Sequence, residues 1–186
     1  MVEQLRACRV PTVRPLAQAQ VDAANRLYKR IEGWRATDKA LHRLRESFPG
    51  NTCLAEVLLK VAALNSLYNT NVFAVVRMAK HIVKVFERHT RAPDIEVVDE
   101  IAELPAAGEK KRRFLSFASK YCRFFVEPEQ FAIYDTIALE ALQFHLGPDC
   151  VRLDTSGRIT YAEWLRAINV LRDSMSPKPS YVELDR

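Results

Sequence analysis

One lysine and one aspartate in this chain have the types and surroundings that nucleophilic chemistry needs. Lys120 stands in the run FASKYC (residues 117–122), and Asp135 ends the run FAIYD (residues 131–135), fifteen residues after the lysine. An amine is a nucleophile only when it is neutral, so burial or nearby cations must lower its pKa from about 10.4. A carboxylate can stabilise a positive charge or move a proton. The pair therefore suggests amine nucleophile chemistry assisted by a carboxylate.

Simpler interpretations of the same residues stay open. Most lysines are solvated, and Lys120 can extend its ammonium group past its aromatic neighbours to water. Asp135 can be an ordinary carboxylate in a first helical turn, favoured there by the helix dipole. The basic residues Lys111, Arg112 and Arg113 can lower the pKa of the lysine or bind phosphate, although such a charge run is most often a solvated face.

A short polar link rich in asparagine separates two long apolar segments. Asn69 and Asn71 lie in the stretch LNSLYNTN, residues 64–71. In one interpretation Thr70 or Asn71 caps the following helix, because Asn and Thr are favoured at that position. In the other, the side-chain amides point outward and read base edges where a duplex is opened.

Composition favours a globular protein of one domain. The chain has 186 residues, of which 48% are hydrophobic, and its formal net charge of +5 permits a polyanionic partner without requiring one. No stretch resembles a membrane span or the apolar core of a signal peptide, so we expect a cytoplasmic protein. The four cysteines form no CxxC pair, and the four histidines lack metal-ligand spacing. We therefore expect no metal and no cofactor.

Apolar residues recur at three- and four-residue spacing along nearly the whole chain, which predicts an all-α fold. Proline, glycine and capping residues divide the pattern into about eight helices. Their predicted ranges are about 17–33, 38–48, 51–64, 72–86, 94–104, 109–125, 133–146 and 160–174. A small hairpin is the alternative for residues 154–157. Residues 177–186 are predicted to form an extended tail that ends in a truncated helix.

In chain order these features resemble the helix-hairpin-helix DNA glycosylase superfamily, nearest its 8-oxoguanine glycosylase/lyase branch. Residues 58–86 are similar to the family's paired helices with their polar link. Residues 115–120 (LSFASK) are similar to the hairpin motif that ends in the nucleophilic lysine, although Phe117, Ala118 and Ser119 replace its glycines. Residues 131–135 are similar to the segment that ends in the catalytic aspartate. The resemblance covers residues 54–146 of a single domain, residues 1–186.

The resemblance implies a compact multi-helix glycosylase fold and an activity that excises an oxidised purine of the 8-oxoguanine type. It implies that Lys120 attacks the sugar and forms a Schiff base, and that Asp135 is the catalytic carboxylate. The implied partner is double-stranded DNA with a damaged base, bound by a monomer without cofactor, in the cytoplasm or on a bacterial nucleoid. The implied DNA contacts are Asn69, Asn71, Lys111, Arg112, Arg113 and Ser119.

Two other classes of function also fit the sequence. The loss of the hairpin glycines favours a DNA-binding module that keeps the fold without the chemistry. The third possibility is a helical interaction protein with no nucleic acid ligand, in which Lys120 and Asp135 form a structural ion pair.

Overall fold

The computed structural model describes residues 13–89, 94–105 and 112–186, and within these ranges the chain forms nine α-helices and no strand. The prediction of an all-α fold is confirmed. The helices are α1 (Gln18–Arg30), α2 (Glu32–Ser47), α3 (Leu54–Tyr68), α4 (Val75–Arg88), α5 (Glu96–Ala102), α6 (Leu115–Phe125), α7 (Thr136–Leu146), α8 (Tyr161–Asp173) and α9 (Tyr181–Leu184).

The α6 helix is the centre of the core. Ten of its eleven residues are buried, and it packs against α2, α3 and α5. Its outer neighbours are amphipathic: α4, for example, buries Met78, Ala79, Ile82 and Val85, which recur on one face of the helix. Because α6 is surrounded by other helices, a charged residue on it must find a partner inside the protein.

The first two helices divide at a different residue from the one predicted. The first was expected to continue to Gly33 and the second to begin after Asp38. Instead Ile31 adopts an extended backbone with φ −86° and ψ 104°, and α2 begins at Glu32. Apolar spacing continues through this bend, so periodicity alone does not locate the break.

Several other helices begin later than predicted, among them α3 and α4 by three residues each, and two of the shifts affect the site. The helix expected over 109–125 begins at Leu115, and Phe114 before it donates a backbone hydrogen bond to the carbonyl of Ala102 at 2.9 Å. Residues 109–111 lie outside the described residues. The helix expected over 133–146 begins at Thr136, because Asp135 is its N-cap residue.

The C-terminal third has a turn and a short last helix. Residues 154–158 form a tight turn, closed by a hydrogen bond from the Asp154 N–H to the Arg158 carbonyl at 2.7 Å, without paired strands. The Ser180 side chain caps α9, which packs against α1. In the part of the chain that the structure describes, no helix has the length and apolar character needed to cross a membrane.

Candidate active site around Lys120 and Asp135

The α6 helix and the start of α7 bring Lys120 and Asp135 into direct contact. Lys120 Nζ donates hydrogen bonds to Asp135 Oδ2 and to Ser116 Oγ, both at 2.9 Å. The same nitrogen lies 6.0 Å from the ring centroid of Tyr68 on α3. Lys120 is 5% exposed, whereas the Asp135 side chain is 33% exposed. The two residues identified from the sequence therefore meet, with the carboxylate on the solvent side.

Asp135 is fixed in place because it caps α7. Its Oδ1 accepts a hydrogen bond from the Ala138 backbone N–H at 2.9 Å. Burial by itself would raise the pKa of the Asp135 carboxyl, but the Ala138 N–H and the Lys120 ammonium outweigh burial and hold this pKa below its ordinary value. The carboxylate is therefore charged at neutral pH and can pair with a positive charge.

Ser119 attaches the segment before Asp135 to α6. Its hydroxyl accepts a hydrogen bond from the Tyr134 backbone N–H at 2.9 Å and lies 3.2 Å from the Ser116 carbonyl oxygen, to which it can donate. Ser119 is 0% exposed. The prediction that Ser119 contacts DNA is therefore not met in this structure, because a hydroxyl without exposed surface cannot reach a phosphate. Ser119 positions Asp135 instead.

The same segment is held from its other side by the last residues of the chain. The Ile133 N–H donates to Asp185 Oδ1 at 3.1 Å, and Asp185 Oδ2 pairs with Arg123 Nε at 3.1 Å. Burial raises the pKa of Asp185 to about 6, although the Arg123 guanidinium opposes this shift. Neither residue was predicted from the sequence. Arg123 carries the same signal as Lys120, a basic residue in an apolar helical run.

Residues 115–120, whose sequence resembles the glycosylase hairpin motif, are helical. Residues 115–120 form the first turns of α6, and Phe117 and Ala118 are buried. A hairpin binds phosphate through backbone N–H groups on an exposed turn, and glycine makes such close approach easier. The large apolar side chains place this segment in the core instead, so any contact with phosphate must come from other residues.

The loop between α3 and α4 presents Asn69 and Asn71 to solvent. Their φ angles are 47° and 57°, in the left-handed region that asparagine tolerates better than most residues. Asn65 supports the loop, because its Oδ1 accepts the Val72 N–H at 2.9 Å. The N-cap residue of α4 is Ala74, without a side-chain cap. The capping interpretation of Asn71 is therefore wrong, and both loop asparagines keep exposed side chains.

The predicted phosphate-binding residues have different surroundings. Arg112 is exposed. Arg113 donates hydrogen bonds to the carbonyl of Ile159 and to Asp99, and so connects α5 with the residues before α8. A contact between Arg113 and phosphate would require these bonds to be released. Lys111 lies outside the described residues, so its role stays a prediction.

Two cavities lie near the pair, and Lys120 lines neither of them. The first, of about 390 Å³, is an aromatic cleft lined by Tyr28, Trp34, Asp38, Tyr68, Arg123 and Phe124, among others. Asn69 also lines it. The second, of about 500 Å³, is more apolar and includes Asp135. Ile133, Asp185 and Arg186 line both cavities, so these residues form the wall between them.

The chain belongs to the HI_0787_N family, which is described as an N-terminal domain. The family matches residues 20–130 of the chain. This range includes Asn69, Asn71 and Lys120 and ends before Asp135. An uncharacterised protein of Haemophilus influenzae is 36% identical over 96 residues, which cover 50% of this chain and 47% of that protein. The chain thus spans about half the length of this relative. No solved structure matches the chain.

Proposed function

We propose that this protein is a DNA glycosylase/lyase that removes an oxidised purine of the 8-oxoguanine type through a Schiff base on Lys120. The observation that carries the proposal is the 2.9 Å contact between Lys120 Nζ and Asp135 Oδ2. Tyr68, whose ring centroid lies 6.0 Å from Lys120 Nζ, lines a cleft of about 390 Å³, a volume within the range of small-molecule sites. A lysine and a carboxylate that converge from two elements can displace a leaving group while stabilising positive charge.

The proposed reaction begins with extrusion of the damaged nucleotide, because the glycosidic bond is inaccessible inside the duplex. As positive charge develops at sugar C1′, the Asp135 carboxylate stabilises it. That nearby positive charge also favours loss of a proton from the Lys120 ammonium, and Asp135 already holds one of its N–H groups. The amine then attacks C1′, and the C1′–N bond breaks with its electron pair going to the base.

The base leaves with a proton, and the sugar stays attached to Lys120. The departing base takes the proton that the amine nitrogen has lost, with Asp135 as carrier. The C1′–O4′ bond of the sugar then breaks as the C1′–nitrogen double bond forms, and a second proton of the nitrogen passes to O4′, which gives the protonated Schiff base. Loss of a proton from C2′ then breaks the C3′–oxygen bond, and the 3′-phosphate departs with the electron pair, which cleaves the DNA strand. Ser116, whose Oγ accepts a hydrogen bond from Lys120 Nζ, keeps the amine directed toward Asp135.

The loop between α3 and α4 supports a role in binding opened DNA. Asn69 and Asn71 are exposed there, and Phe73 is 86% exposed, the largest value among the exposed large hydrophobic residues that the structure describes. An exposed aromatic ring can stack where a base has left the duplex. Phe73→Ala should weaken duplex binding about tenfold in fluorescence anisotropy, with unchanged thermal stability. Val76→Ala, at another exposed apolar residue nearby, is the matched control and should bind normally.

Borohydride trapping tests the proposal directly. The protein is incubated with an 8-oxoguanine duplex and sodium borohydride, which reduces a Schiff base to a stable covalent adduct visible on a denaturing gel. We expect an adduct with the native chain and with Lys178→Ala, an exposed lysine elsewhere, and none with Lys120→Ala. Circular dichroism checks that the variants fold. Absence of an adduct with every oxidised purine tested, or an adduct that persists in Lys120→Ala, rules out the lyase proposal.

A second candidate function is favoured by the low exposure of Lys120 and the helical form of residues 115–120. In this alternative the protein is a helical interaction domain, and the ion pair joins α6 to α7. It predicts no DNA binding at low salt.

A DNA-binding module without chemistry predicts instead a binding constant that falls steeply with salt, and no release of base. Anisotropy at several salt concentrations, together with the trapping assay, separates the three functions.

A further inference from the structure

We propose that the exposed face of α4 is a docking surface for the phosphate backbone of duplex DNA, with Arg77, Lys80 and Lys84 as the contacting cations. The inference rests on the proposed function for its partner, DNA, but it requires neither the Schiff base nor a damaged base. None of the three residues was predicted from the sequence as a binding residue.

The α4 helix has an apolar face and a basic face. The apolar face is buried and includes Met78 and Ile82. Arg77, Lys80 and Lys84 are exposed on the opposite face. They form one row, called here the basic row, because residues three and four apart on a helix are neighbours. The row is about 10 Å long, since a helix rises 1.5 Å per residue.

The basic row is not neutralised by the protein. Among the described residues, no carboxylate forms an ion pair with any of its three cations. Arg88 on the same helix differs, because it pairs with Glu100 Oε2 at 2.8 Å. Four basic residues and one carboxylate, Glu87, give α4 a formal charge of +3, in a chain whose net charge is +5. The exposed face of α4 therefore attracts anions.

The length of the basic row suits a polymer of phosphates. One strand of duplex DNA carries a phosphate about every 3.4 Å along the axis, so the row faces about three of them. An anionic membrane would also attract the cations. However, helices that lie on membranes direct their apolar face into the lipid, whereas Met78, Ile82 and Val85 of α4 are in the core. The observations therefore favour nucleic acid.

The position of the basic row agrees with the loop between α3 and α4. Asn71 and Phe73 in this loop are exposed, and α4 begins two residues after Phe73, at Val75. A duplex that is opened at the loop can therefore place the flanking phosphates of one strand along α4. The basic row supplies the phosphate contact that the helical segment 115–120, which is largely buried, does not offer.

A row of cations on α2 provides a matched control. Arg35, Lys39 and Arg43 are exposed and recur every four residues. Two exposed carboxylates, Glu32 and Glu46, lie three residues before and after this row, and they offset most of its charge. Removal of three cations from either helix changes the net charge of the protein equally. A difference between the two variants therefore reports the position of the cations and not their number.

The salt dependence of duplex binding tests the inference. The full chain is titrated against a labelled, undamaged duplex in fluorescence anisotropy, between about 50 and 200 mM salt. We expect Arg77→Gln/Lys80→Gln/Lys84→Gln to reduce the slope of log K against log salt by about three, about one for each phosphate contact. The control Arg35→Gln/Lys39→Gln/Arg43→Gln should keep a slope within about one of the native value.

The six replaced residues are exposed, so we expect both variants to fold, and circular dichroism with thermal unfolding checks this. An unchanged slope in the folded α4 variant overturns the inference, and so does an equal reduction in the two variants. Absence of duplex binding at low salt also overturns it. Binding to phosphatidylglycerol vesicles that is lost in the α4 variant, without duplex binding, would assign the surface to a membrane instead.

The salt test and the borohydride test can fail separately. A slope reduced only in the α4 variant, without any covalent adduct, supports this inference and counts against the lyase proposal. An adduct on Lys120 with an unchanged slope in the α4 variant supports the lyase proposal and overturns this inference.

Discussion

Two of the lysines that the structure describes are buried, and their partners differ. Lys120 on α6 faces the charged carboxylate of Asp135. Lys60 on α3 is 0% exposed, and its Nζ donates to the Gly50 carbonyl at 2.6 Å and to Asn51 Oδ1 at 3.0 Å. Both of these acceptors are neutral. Among the described residues, no carboxylate forms an ion pair with Lys60.

The difference shows that ease of deprotonation does not by itself mark a catalytic amine. Burial, with a smaller contribution from Arg45 and against the opposing effect of Glu56, lowers the pKa of Lys60 to about 8. The Lys60 amine therefore becomes neutral near pH 8, but it has no exposed surface from which to attack a substrate. Lys120 is paired with a partly exposed carboxylate that can stabilise substrate charge, and its Nζ lies 6.0 Å from the ring centroid of Tyr68, which lines the aromatic cleft. The carboxylate partner therefore indicates Lys120 as the catalytic amine.

Replacement of each lysine by methionine, one at a time, has the largest expected effect and tests most directly which of the two amines reacts. Lys120→Met should abolish the borohydride adduct, because no amine remains beside Asp135. Lys60→Met should keep the adduct, because Lys60 does not reach the substrate. The measurement is adduct yield per folded molecule, with folding checked by circular dichroism. Loss of the adduct in folded Lys60→Met together with its survival in Lys120→Met would assign the chemistry to the wrong lysine.

Removing the charge of Asp135 should have the next largest effect. Asp135→Asn should lower single-turnover base release about 10²- to 10⁴-fold, the usual range for a group that moves a proton, with little change in DNA affinity. Asparagine caps helices about as well as aspartate, so the stability of α7 should be kept. Asp135→Ala should also lose about 1 kcal/mol of stability in urea unfolding, because the cap is lost. Equal turnover in Asp135→Asn and the native chain would contradict the role of the carboxylate.

The smallest expected effect concerns the pH dependence contributed by Lys60. Its pKa is about 8 in the folded protein and 10.5 in the reference state, so between these values the unfolded chain binds more protons. The Lys60 contribution to the free energy of unfolding should therefore rise with pH from about 8 to 10, by at most about 1.4 kcal/mol per pH unit. Lys60→Met should lack this contribution.

Urea unfolding of the two proteins between pH 7 and 10 measures the difference in slope, and titrations of cysteine and tyrosine cancel in the comparison. Lys120→Met is the second control, and it should keep the Lys60 contribution. Identical slopes for the native chain and Lys60→Met would show that the pKa of Lys60 is not lowered in the folded protein.

The sequence supplied the helical class and the two residues of the pair, because helical spacing and residue type are local properties. It did not supply the contacts between distant residues. Asn51 Oδ1 accepts hydrogen bonds from Lys60 and from Tyr121, which is 70 residues away. Arg123 meets Asp185 across 62 residues. No periodicity links such positions, so the burial of Lys60 and the Arg123–Asp185 pair could not be read from spacing.

The placement of Ser119 and Asp135 depended on the exact start of each helix. A single position on a helix changes the direction of a side chain by about 100°, which separates the buried Ser119 hydroxyl from the Lys120 amine. The capping role of Asp135 was also missed, because residues 133–146 continue the apolar pattern through it. Helix boundaries and side-chain direction therefore required the structure.

The most direct test of the central claim is to locate the covalent bond. The adduct trapped with borohydride on an 8-oxoguanine duplex is digested with protease and nuclease, and tandem mass spectrometry identifies the lysine that carries the deoxyribose remnant. We expect modification of Lys120 Nζ. Modification of any other amine, including Lys60, would contradict it.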